Sequence, residues 1–513
     1  MDSTSGLQAL YTRGSLRNDP GGVVLGLKNR LTDMVLQRVV QVRIGTLDLG
    51  PGDLELELGD GGWRPASEVT RDRPRPFALK QSARLRAPGR RIGEGLHPIE
   101  ITVEVQGFGT LGFQVADRAA SLQSKPAAVP CSKEDNHSAA IIEARQAFVE
   151  RTAGVDLHHT RQYSFDPKIT EGNIENFTGV VQVPLGFAGP LLVKGEHAQG
   201  EFLIPLATTE GTLVASYNRG MKALNRSGGV LCTVQEDGMQ RAPVFIFASA
   251  REARAFRGWV EQHLDDIRRA AEATTGRGKL SRIEVYLASK FAYLRFNFTT
   301  GDAAGQNMVG RATLAACNWI IEQNQATVRR FYLEANMATD KKASHVNLLQ
   351  SRGKRVTAEC TLKRDVLREV LHVEPESLAC HWGVASVGSI LSGAINNGLH
   401  SANGITAMFM ATGQDVANVA EGCAGIIYVE LTPEQDFYAS ITIPSLIVAT
   451  HGGGTGLATQ RECLQVLGCF GPGKVHKLAE IIAGVVLAGE ISLAAAISSM
   501  EWVSSHEKLG RNR

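Results

Sequence analysis

Three charged residues, Asp340, Lys341 and Lys342, lie side by side in the stretch EANMATDKKASHVN (334–347). A solvated helix face usually spaces its charges by three or four positions, so this crowding is unusual. Carboxylates and amines can transfer protons or stabilise a developing negative charge, which makes the cluster a candidate for catalysis. TDKK alone, however, more often forms a turn.

Four other stretches also carry polar residues beside turns or helix ends. PLATTEGTLVASYNRG (205–220) puts Glu210 at the predicted start of a helix, and GDAAGQNM (301–308) is a glycine-bearing turn that opens another. HSANGITAMFMATGQD (400–415) ends a mostly apolar helix on Asp415, and SSHEKLGRNR (504–513) is a basic tail that carries His506. Taken singly, Glu210 is typical of a first-turn glutamate favoured by the helix dipole, Asp415 of a cap and His506 of a disordered tail.

Eight stretches, in the same order, resemble the 3-hydroxy-3-methylglutaryl-coenzyme A (HMG-CoA) reductase family. They are ENFTG, PLGFAGPL, ATTEG, DAAGQNM, TDKK, ATGQD, GGGT and LAGEISL, and the resemblance covers roughly residues 137–513. It implies an oxidoreductase that reduces the acyl-coenzyme A thioester to an alcohol, mevalonate, with two hydrides from NADPH, NADH being left open. Two alternatives are a reductase of a different acyl-coenzyme A thioester and a non-catalytic homologue that acts as a binding protein.

The resemblance also implies a role for each polar residue. Lys341 would stabilise the substrate oxyanion, with Asp415 against it. Glu210 would donate a proton in the aldehyde stages, and His506 would protonate the departing coenzyme A thiolate. Substrate-binding residues would be Arg241, Asn336, Asp340, Lys342, His400, Asn403, Glu175 and Asn176. Cofactor-binding residues would be Thr275, Arg277, Asp302, Gly305, Asn307, Gly452, Gly453, Gly454 and Arg511.

The sequence departs from the family's pattern where the substrate's far carboxylate would be held. Glu334 stands in place of the family's serine, and Val384 in place of a lysine by an ungapped alignment. Replacing a serine by an anion and losing a cation should weaken carboxylate binding. In the cofactor region, Ala304 and Gln306 replace the usual methionines, and Gly276 stands where a basic residue is expected, one position before Arg277.

The chain divides into segments with different patterns. Residues 1–118 alternate short apolar runs with turns, which predicts a small all-β domain, and 119–136 reads as a linker. Residues 242–334 have the β-α-β-β-α-β order of a ferredoxin-like domain, inserted between 137–241 and 335–500, and the family resemblance implies that this domain binds the nucleotide. The predicted fold class is therefore α+β: a β-sandwich-like domain, a large mostly helical catalytic domain with the ferredoxin-like insertion, and a catalytic tail at 501–513. The β domain, from LKNRLTDMVL onwards, also resembles the small-subunit domain of C-glycoside deglycosidases.

Composition restricts the partners and the compartment. The 513 residues are 43% hydrophobic and 21% charged with a formal net charge of +2, which is globular and gives no reason to expect nucleic-acid binding. The eight cysteines include no CxxC pair, so a reducing cytosol is favoured and a metal site is not predicted. The sequence also predicts neither a secretory signal nor a membrane span. The family resemblance implies a homodimer, or a higher even oligomer, in which Lys341 faces the neighbour's Glu210 and Asp415.

Overall fold

The computed structural model describes residues 7–59, 61–119, 128–324 and 326–500. The chain forms two compact units, residues 1–128 and 129–513, and the division falls inside the predicted linker. His506, Arg511 and the predicted catalytic tail lie outside the described residues.

The first unit consists of two antiparallel sheets. One has the strand order β1-β2-β8-β5-β6, and the other has the order β10-β9-β3-β4 with β7 paired to β3. Apolar side chains from both sheets, such as Leu25, Leu85, Val42 and Ile101, are buried in one core, as expected for the predicted sandwich-like domain. The strands are Arg17–Asp19 (β1), Gly22–Lys28 (β2), Met34–Ile44 (β3), Leu47–Leu49 (β4), Glu55–Glu57 (β5), Arg64–Pro65 (β6), Arg75–Phe77 (β7), Ser82–Pro88 (β8), Gly95–Val105 (β9) and Gly109–Ala119 (β10).

The second unit begins with helix α1 (Ala139–Ala153) and contains a sheet that the sequence analysis did not predict. Its strands are Leu185–Gly195 (β11), Gln199–Ala207 (β12), Val230–Arg241 (β13), Gly353–Leu362 (β18), Ile426–Leu431 (β19) and Phe437–Leu446 (β20). The pairing order is β12-β11-β13-β18-β20-β19. Helices on this sheet include Leu213–Arg226 (α2), Pro375–Ser392 (α8), Ser401–Thr412 (α9) and Val475–Ser498 (α12).

Strand β13 also continues into a second sheet, which carries the predicted β-α-β-β-α-β order. Its other strands are Val244–Ile246 (β14), Lys279–Ala288 (β15), Phe291–Thr299 (β16) and Arg330–Tyr332 (β17), paired in the order β17-β14-β16-β15. The first helix is broken into Ala250–Gln262 (α3) and Leu264–Glu272 (α4), and the second is Gln306–Gln323 (α5). The predicted fold class is therefore confirmed.

Helix α12 passes through the centre of the second unit. By length and composition it could cross a membrane, with a mean hydropathy of 2.1, but 83% of that stretch is buried inside the protein. Its two carboxylates accept backbone N–H groups: Glu480 from residues 196–198 at 2.6–3.0 Å, and Glu490 from residues 399–400 at 2.6 and 2.9 Å. These buried acids therefore fix the β11–β12 turn and the start of α9.

Short helices complete the unit. They are His345–Leu349 (α6), Arg364–Val366 (α7), which continues as a π-helical turn at Leu367–Leu371, Val419–Gly422 (α10) and Ala458–Val466 (α11). Single 3₁₀ turns at Val416–Asn418 and Gly453–Gly456 lie next to two of the sequence motifs considered below.

Candidate active site

The TDKK stretch forms a loop with strained backbone. Asn336, Thr339 and Lys341 have φ angles of 64°, 60° and 55°. These values lie in the left-handed region, which residues other than glycine seldom adopt. The loop is held by the Thr339 hydroxyl, which donates to Asn347 Oδ1 at 2.7 Å, and by the Lys341 N–H, which donates to Glu421 Oε1 at 2.6 Å. Strain of this kind persists only where surrounding contacts impose it, and it is common at functional sites.

Lys341 and Asp415 form an ion pair within one chain. Lys341 Nζ lies 3.0 Å from Asp415 Oδ2, and the two side chains are 46% and 43% exposed. Asp415 follows α9 and also accepts the Ala417 N–H at 3.1 Å, which caps the next 3₁₀ turn. The prediction that Lys341 faces the neighbour's Asp415 is therefore wrong: the loop after α9 and the TDKK loop meet in the same subunit.

A buried ion pair that the sequence analysis missed lies behind the loop. Arg352 and Glu421 are both fully buried, with Nε and Oε1 3.3 Å apart, and Arg352 Nη2 donates to Asp340 Oδ1 at 2.6 Å. Burial raises the pKa of Glu421, although the Lys341 N–H and the Arg352 guanidinium oppose that shift. Removing one partner would leave a buried charge unpaired, so this pair should be important for the position of Lys341.

The ATGQD and GGGT motifs form two turns in direct backbone contact. Gly413 has φ +70°, and a Cβ on it would lie 2.2 Å from the Gly454 carbonyl oxygen. The Gln414 side chain accepts the Ala449 N–H at 2.7 Å and donates to the Ala449 carbonyl at 3.0 Å. These contacts require glycine at the turn and fix the loop that carries Asp415.

The DAAGQNM turn joins the same junction. The Asp302 carbonyl accepts the Thr450 N–H at 3.0 Å, and Gln306 Nε2 donates to Asn418 Oδ1 at 3.2 Å. Asp302 Oδ1 also accepts the Lys474 N–H at 3.0 Å, which places its carboxylate at the start of α12. Burial would raise the pKa of Asp302, but backbone N–H groups and Lys354 hold it below its ordinary value. Asp302 is therefore an anchor between the turn and α12.

Cofactor-binding candidates gather around the start of α5. Gly305 has φ +79°, and a Cβ there would meet Thr300 at 2.3 Å. Thr275 Oγ1 accepts the N–H groups of Arg277 and Gly278 at 3.2 and 3.0 Å, and it lies 3.2 Å from the sulfur of Met308. The side chains of Arg277 and Asn307 are exposed beside this turn. Free N–H groups at a helix start together with a nearby guanidinium suit a phosphate-bearing ligand.

Glu210 lies at the far end of α9 from Asp415. Its carboxylate accepts the Asn403 amide at 2.9 and 3.0 Å, and Asn403 is in the first turn of α9. The nine helical steps from Asn403 to Thr412, where α9 ends, correspond to about 14 Å at 1.5 Å per residue, and Asp415 follows three residues later. Within one chain, the predicted proton donor is thus remote from Lys341.

His400 and the ENFTG segment contact other parts of the second unit. The His400 ring is buried against Tyr217, with the ring centres 4.7 Å apart, and its backbone carbonyl accepts the Tyr217 hydroxyl at 2.6 Å. Burial lowers the pKa of His400 to about 4, so the ring is neutral at pH 7. Glu175 and Asn176 are exposed, and Asn176 Oδ1 accepts from Asn136 at 3.4 Å. Phe177 of this segment lines a cleft of 1020 Å³ together with Tyr163, Met410 and Leu457, among others.

Arg241 and Lys342 lie beside Asp340. Arg241 Nη1 is 3.2 Å from Glu334 Oε2 and 3.9 Å from Asp340 Oδ2, and Lys342 Nζ donates to the Asp340 carbonyl at 3.0 Å. Val384 is 67% exposed on α8. The structure thus brings together the TDKK, ATGQD, GGGT and DAAGQNM motifs with Arg241, while Glu210 and Asn403 form a second group.

Comparison with known proteins gives matches over both units. Residues 141–511 match the family described as hydroxymethylglutaryl-coenzyme A reductase, and residues 7–120 match that described as the hydroxymethylglutaryl-CoA reductase N-terminal domain. The second match corrects the prediction that residues 1–118 lie outside the reductase resemblance. The resemblance of the β domain to the deglycosidase domain stays a prediction.

Archaeal relatives cover most of the second unit. A 3-hydroxy-3-methylglutaryl-coenzyme A reductase from Methanothermobacter thermautotrophicus is 44% identical over 373 residues, which are 72% of this chain and 93% of the relative. The enzyme of the same name from Pyrococcus horikoshii is 45% identical over 377 residues, 72% of this chain and 91% of the relative.

A solved structure shares the fold. It is a class II 3-hydroxy-3-methylglutaryl-CoA reductase from Streptococcus pneumoniae bound to NADPH, with a TM-score of 0.54 and 21% identity, and the match covers 69% of this chain and 86% of that one.

Proposed function

The chain belongs to the hydroxymethylglutaryl-coenzyme A reductase family of oxidoreductases, and we propose that its site around Lys341 reduces HMG-CoA to mevalonate with NADPH. The observation that carries this proposal is the Lys341–Asp415 ion pair at the junction of four motif-bearing loops. When bound, NADPH supplies hydride, and each hydride delivery leaves negative charge on the substrate oxygen. The Lys341 ammonium group is already in position before the reaction, so it can stabilise that charge without a rearrangement of the site.

The chain's own residues divide the remaining work. Asp415 orients the Lys341 ammonium group, because its carboxylate lies 3.0 Å from the Lys341 nitrogen. Glu210, with Asn403 holding its carboxylate, donates the proton of the aldehyde stages. His506 protonates the departing thiolate by the family resemblance, and Asp340, Lys342, Arg241 and Asn336 orient the acyl group.

NADPH is proposed over NADH because arginines are available for a 2′-phosphate. Arg277 is exposed beside the start of α5, and Arg511 is the tail candidate. The start of α5 offers N–H groups for the pyrophosphate, and Gly305 allows the left-handed backbone, φ +79°, of the turn before it. The Streptococcus pneumoniae relative, described as bound to NADPH, supports the same choice.

A shared active site explains the position of Glu210. Since this residue is about a helix length from Asp415 in one chain, we assign to each site the Lys341 and Asp415 of one subunit and the glutamate of a second. Helix α8 presents exposed apolar side chains, Val387, Ile390 and Leu391, at 57%, 79% and 82% exposure, and such a patch is typical of an interface. The proposed assembly is therefore a homodimer.

The cytoplasm is the proposed compartment. All eight cysteines are free thiols, and five of them are buried, at positions 232, 317, 360, 463 and 469. Free thiols of this number are typical of a reducing environment.

Following coenzyme oxidation at 340 nm with HMG-CoA and the purified full-length chain tests the function directly. The proposal requires turnover with NADPH, a lower kcat/KM with NADH, and a product that is the alcohol. Arg277→Ala should raise the KM for NADPH more than that for NADH. Lys290→Ala, which removes an exposed lysine of the same domain, is the matched control.

A further inference from the structure

The guanidinium of Arg241 is occupied by an acid from its own chain. Arg241 Nη1 and Glu334 Oε2 are 3.2 Å apart, and the Arg241 side chain is only 15% exposed. Glu334 is itself fixed, because its Oε1 accepts the N–H groups of Ala335 and Asn336 at 3.0 and 2.7 Å. The acid is thus held in position at the base of the TDKK loop before any ligand arrives.

The other cations of this loop already have partners. Arg352 is fully buried on Asp340 and Glu421, and Lys341 is paired with Asp415. Lys342 is exposed and donates to a backbone carbonyl. Among the described cations around this loop, Arg241 at the end of β13 and Lys342 are therefore the groups left for a substrate carboxylate, and Glu334 competes for the first of them.

HMG-CoA carries one free carboxylate on its acyl group, and that carboxylate needs a cation. We propose that Glu334 is a specificity-determining residue that occupies Arg241 in place of the substrate carboxylate. The site then holds HMG-CoA more weakly than Arg241 would otherwise allow, and it accepts thioesters whose acyl group lacks the carboxylate. This inference rests on the proposed thioester reductase function.

The physical reason is competition between two like charges for one guanidinium. A substrate carboxylate must either displace Glu334, which then loses its charge-assisted hydrogen bond, or lie beside it and be repelled. A neutral acyl group meets neither penalty. The effect should therefore appear in substrate affinity and in the ratio between the two substrate types, and it should leave the rate of the chemical step largely unchanged.

The test compares HMG-CoA with 3-hydroxy-3-methylbutanoyl-CoA, which has a methyl group where HMG-CoA has the carboxymethyl group. Glu334→Gln keeps an oxygen for the two backbone N–H groups and removes the charge. It should lower the KM for HMG-CoA about tenfold or more, with kcat and the KM for the uncharged thioester each within about twofold of wild type. Glu334→Ser, which cannot reach Arg241, should do the same, and Glu334→Asp, which keeps the charge, should retain the wild-type KM.

Glu261→Gln is the matched control, because it removes an acid from another Arg–Glu ion pair, 3.1 Å from Arg257, on the exposed face of α3. It should change neither KM. An unchanged or higher KM for HMG-CoA in both Glu334→Gln and Glu334→Ser would overturn the inference, as would an equal fall for both thioesters or a fall in Glu334→Asp. If wild type turns over neither thioester, the proposed function fails instead. Calorimetric titration with HMG-CoA alone still tests the inference in that case, since the affinity of Glu334→Gln should exceed that of wild type.

Discussion

Lys341 owes its position to groups that are distant in sequence. Its side chain meets Asp415, its N–H meets Glu421, and the preceding Asp340 is held by Arg352. The loop is therefore held by two contacts and the ammonium group by Asp415 before substrate binds, and a charge fixed in advance stabilises a transition state effectively.

Replacing Lys341 by alanine should lower kcat for HMG-CoA by about 100- to 1,000-fold, the usual cost of removing an oxyanion-stabilising group. The circular dichroism spectrum and Tm should stay close to wild type, because the Lys341 side chain is 46% exposed. Lys290→Ala serves as the control. Near-normal turnover by Lys341→Ala would remove this residue from the mechanism.

His400 should make stability depend on pH. Burial lowers its pKa from 6.5 to about 4, so between these values the unfolded chain binds more protons than the folded one. The free energy of unfolding contributed by this site is full above pH 6.5 and should fall by about 2 kcal/mol between pH 7 and pH 5.

Denaturant unfolding of wild type and His400→Phe at both pH values measures that contribution. Phenylalanine cannot titrate and matches the ring that packs on Tyr217, so its loss of stability between pH 7 and pH 5 should be about 2 kcal/mol smaller. His345→Phe, at an exposed position, should behave like wild type. Equal losses in wild type and His400→Phe would contradict the burial argument.

The turn after α9 and the turn after β20 pack directly against each other. Each has a glycine at the contact, Gly413 in the first and Gly454 in the second, because neither leaves space for a side chain on the other. The ATGQD and GGGT motifs could be recognised in the sequence, but the contact between them could not. The two backbones lie so close that a Cβ added to Gly413 or Gly454 would be 2.2–2.5 Å from the carbonyl oxygen of the other glycine. Arg352 and Glu421 were missed for a related reason: a charged residue in sequence is usually solvated, and only the fold buries these two together.

Gly413→Ala should destabilise the second unit by roughly 2–4 kcal/mol, since a Cβ collides with the Gly454 carbonyl and φ is +70°. It should also reduce kcat by displacing Asp415. Gly456→Ala is the control, because a Cβ there meets nothing within 4 Å. A Gly413→Ala protein with unchanged Tm and kcat would contradict the close-packing argument.

Strand patterns explain which parts of the fold were predictable. The β-α-β-β-α-β order was legible because its strands are runs of alternating or aromatic residues, such as FAYLRFNFT, between clear turns. Strands β18 and β20 also alternate buried and less buried residues; in β18, every second residue from 356 to 362 is buried. They lie between helices, however, in a region that the sequence predicts to be mostly helical. The pairing of β18 with β13, and of β20 with β18, is long-range and could not be derived from local pattern.

The two units of the molecule should be separable. Residues 1–128 and 129–513 each have their own core, and the relatives from Methanothermobacter and Pyrococcus match 373 and 377 residues of this chain, a length close to that of the second unit. A chain of residues 129–513 should therefore fold and keep kcat within a few-fold of wild type, as measured by circular dichroism and coenzyme oxidation. A folded but inactive 129–513 chain would mean that the β domain contributes to the site or to assembly.

The assembly carries the central claim, that each active site takes Lys341 and Asp415 from one subunit and Glu210 from another. The direct measurement mixes inactive Lys341→Ala subunits with inactive Glu210→Gln subunits and follows activity after exchange is verified with tagged chains. Half of the randomly formed dimers would be mixed, each with one intact site of two, so about a quarter of wild-type activity should return. Lys341→Ala mixed with Asp415→Ala should stay inactive, because the ion pair lies within one chain. No recovery in the first mixture, or recovery in the second, would contradict the shared site.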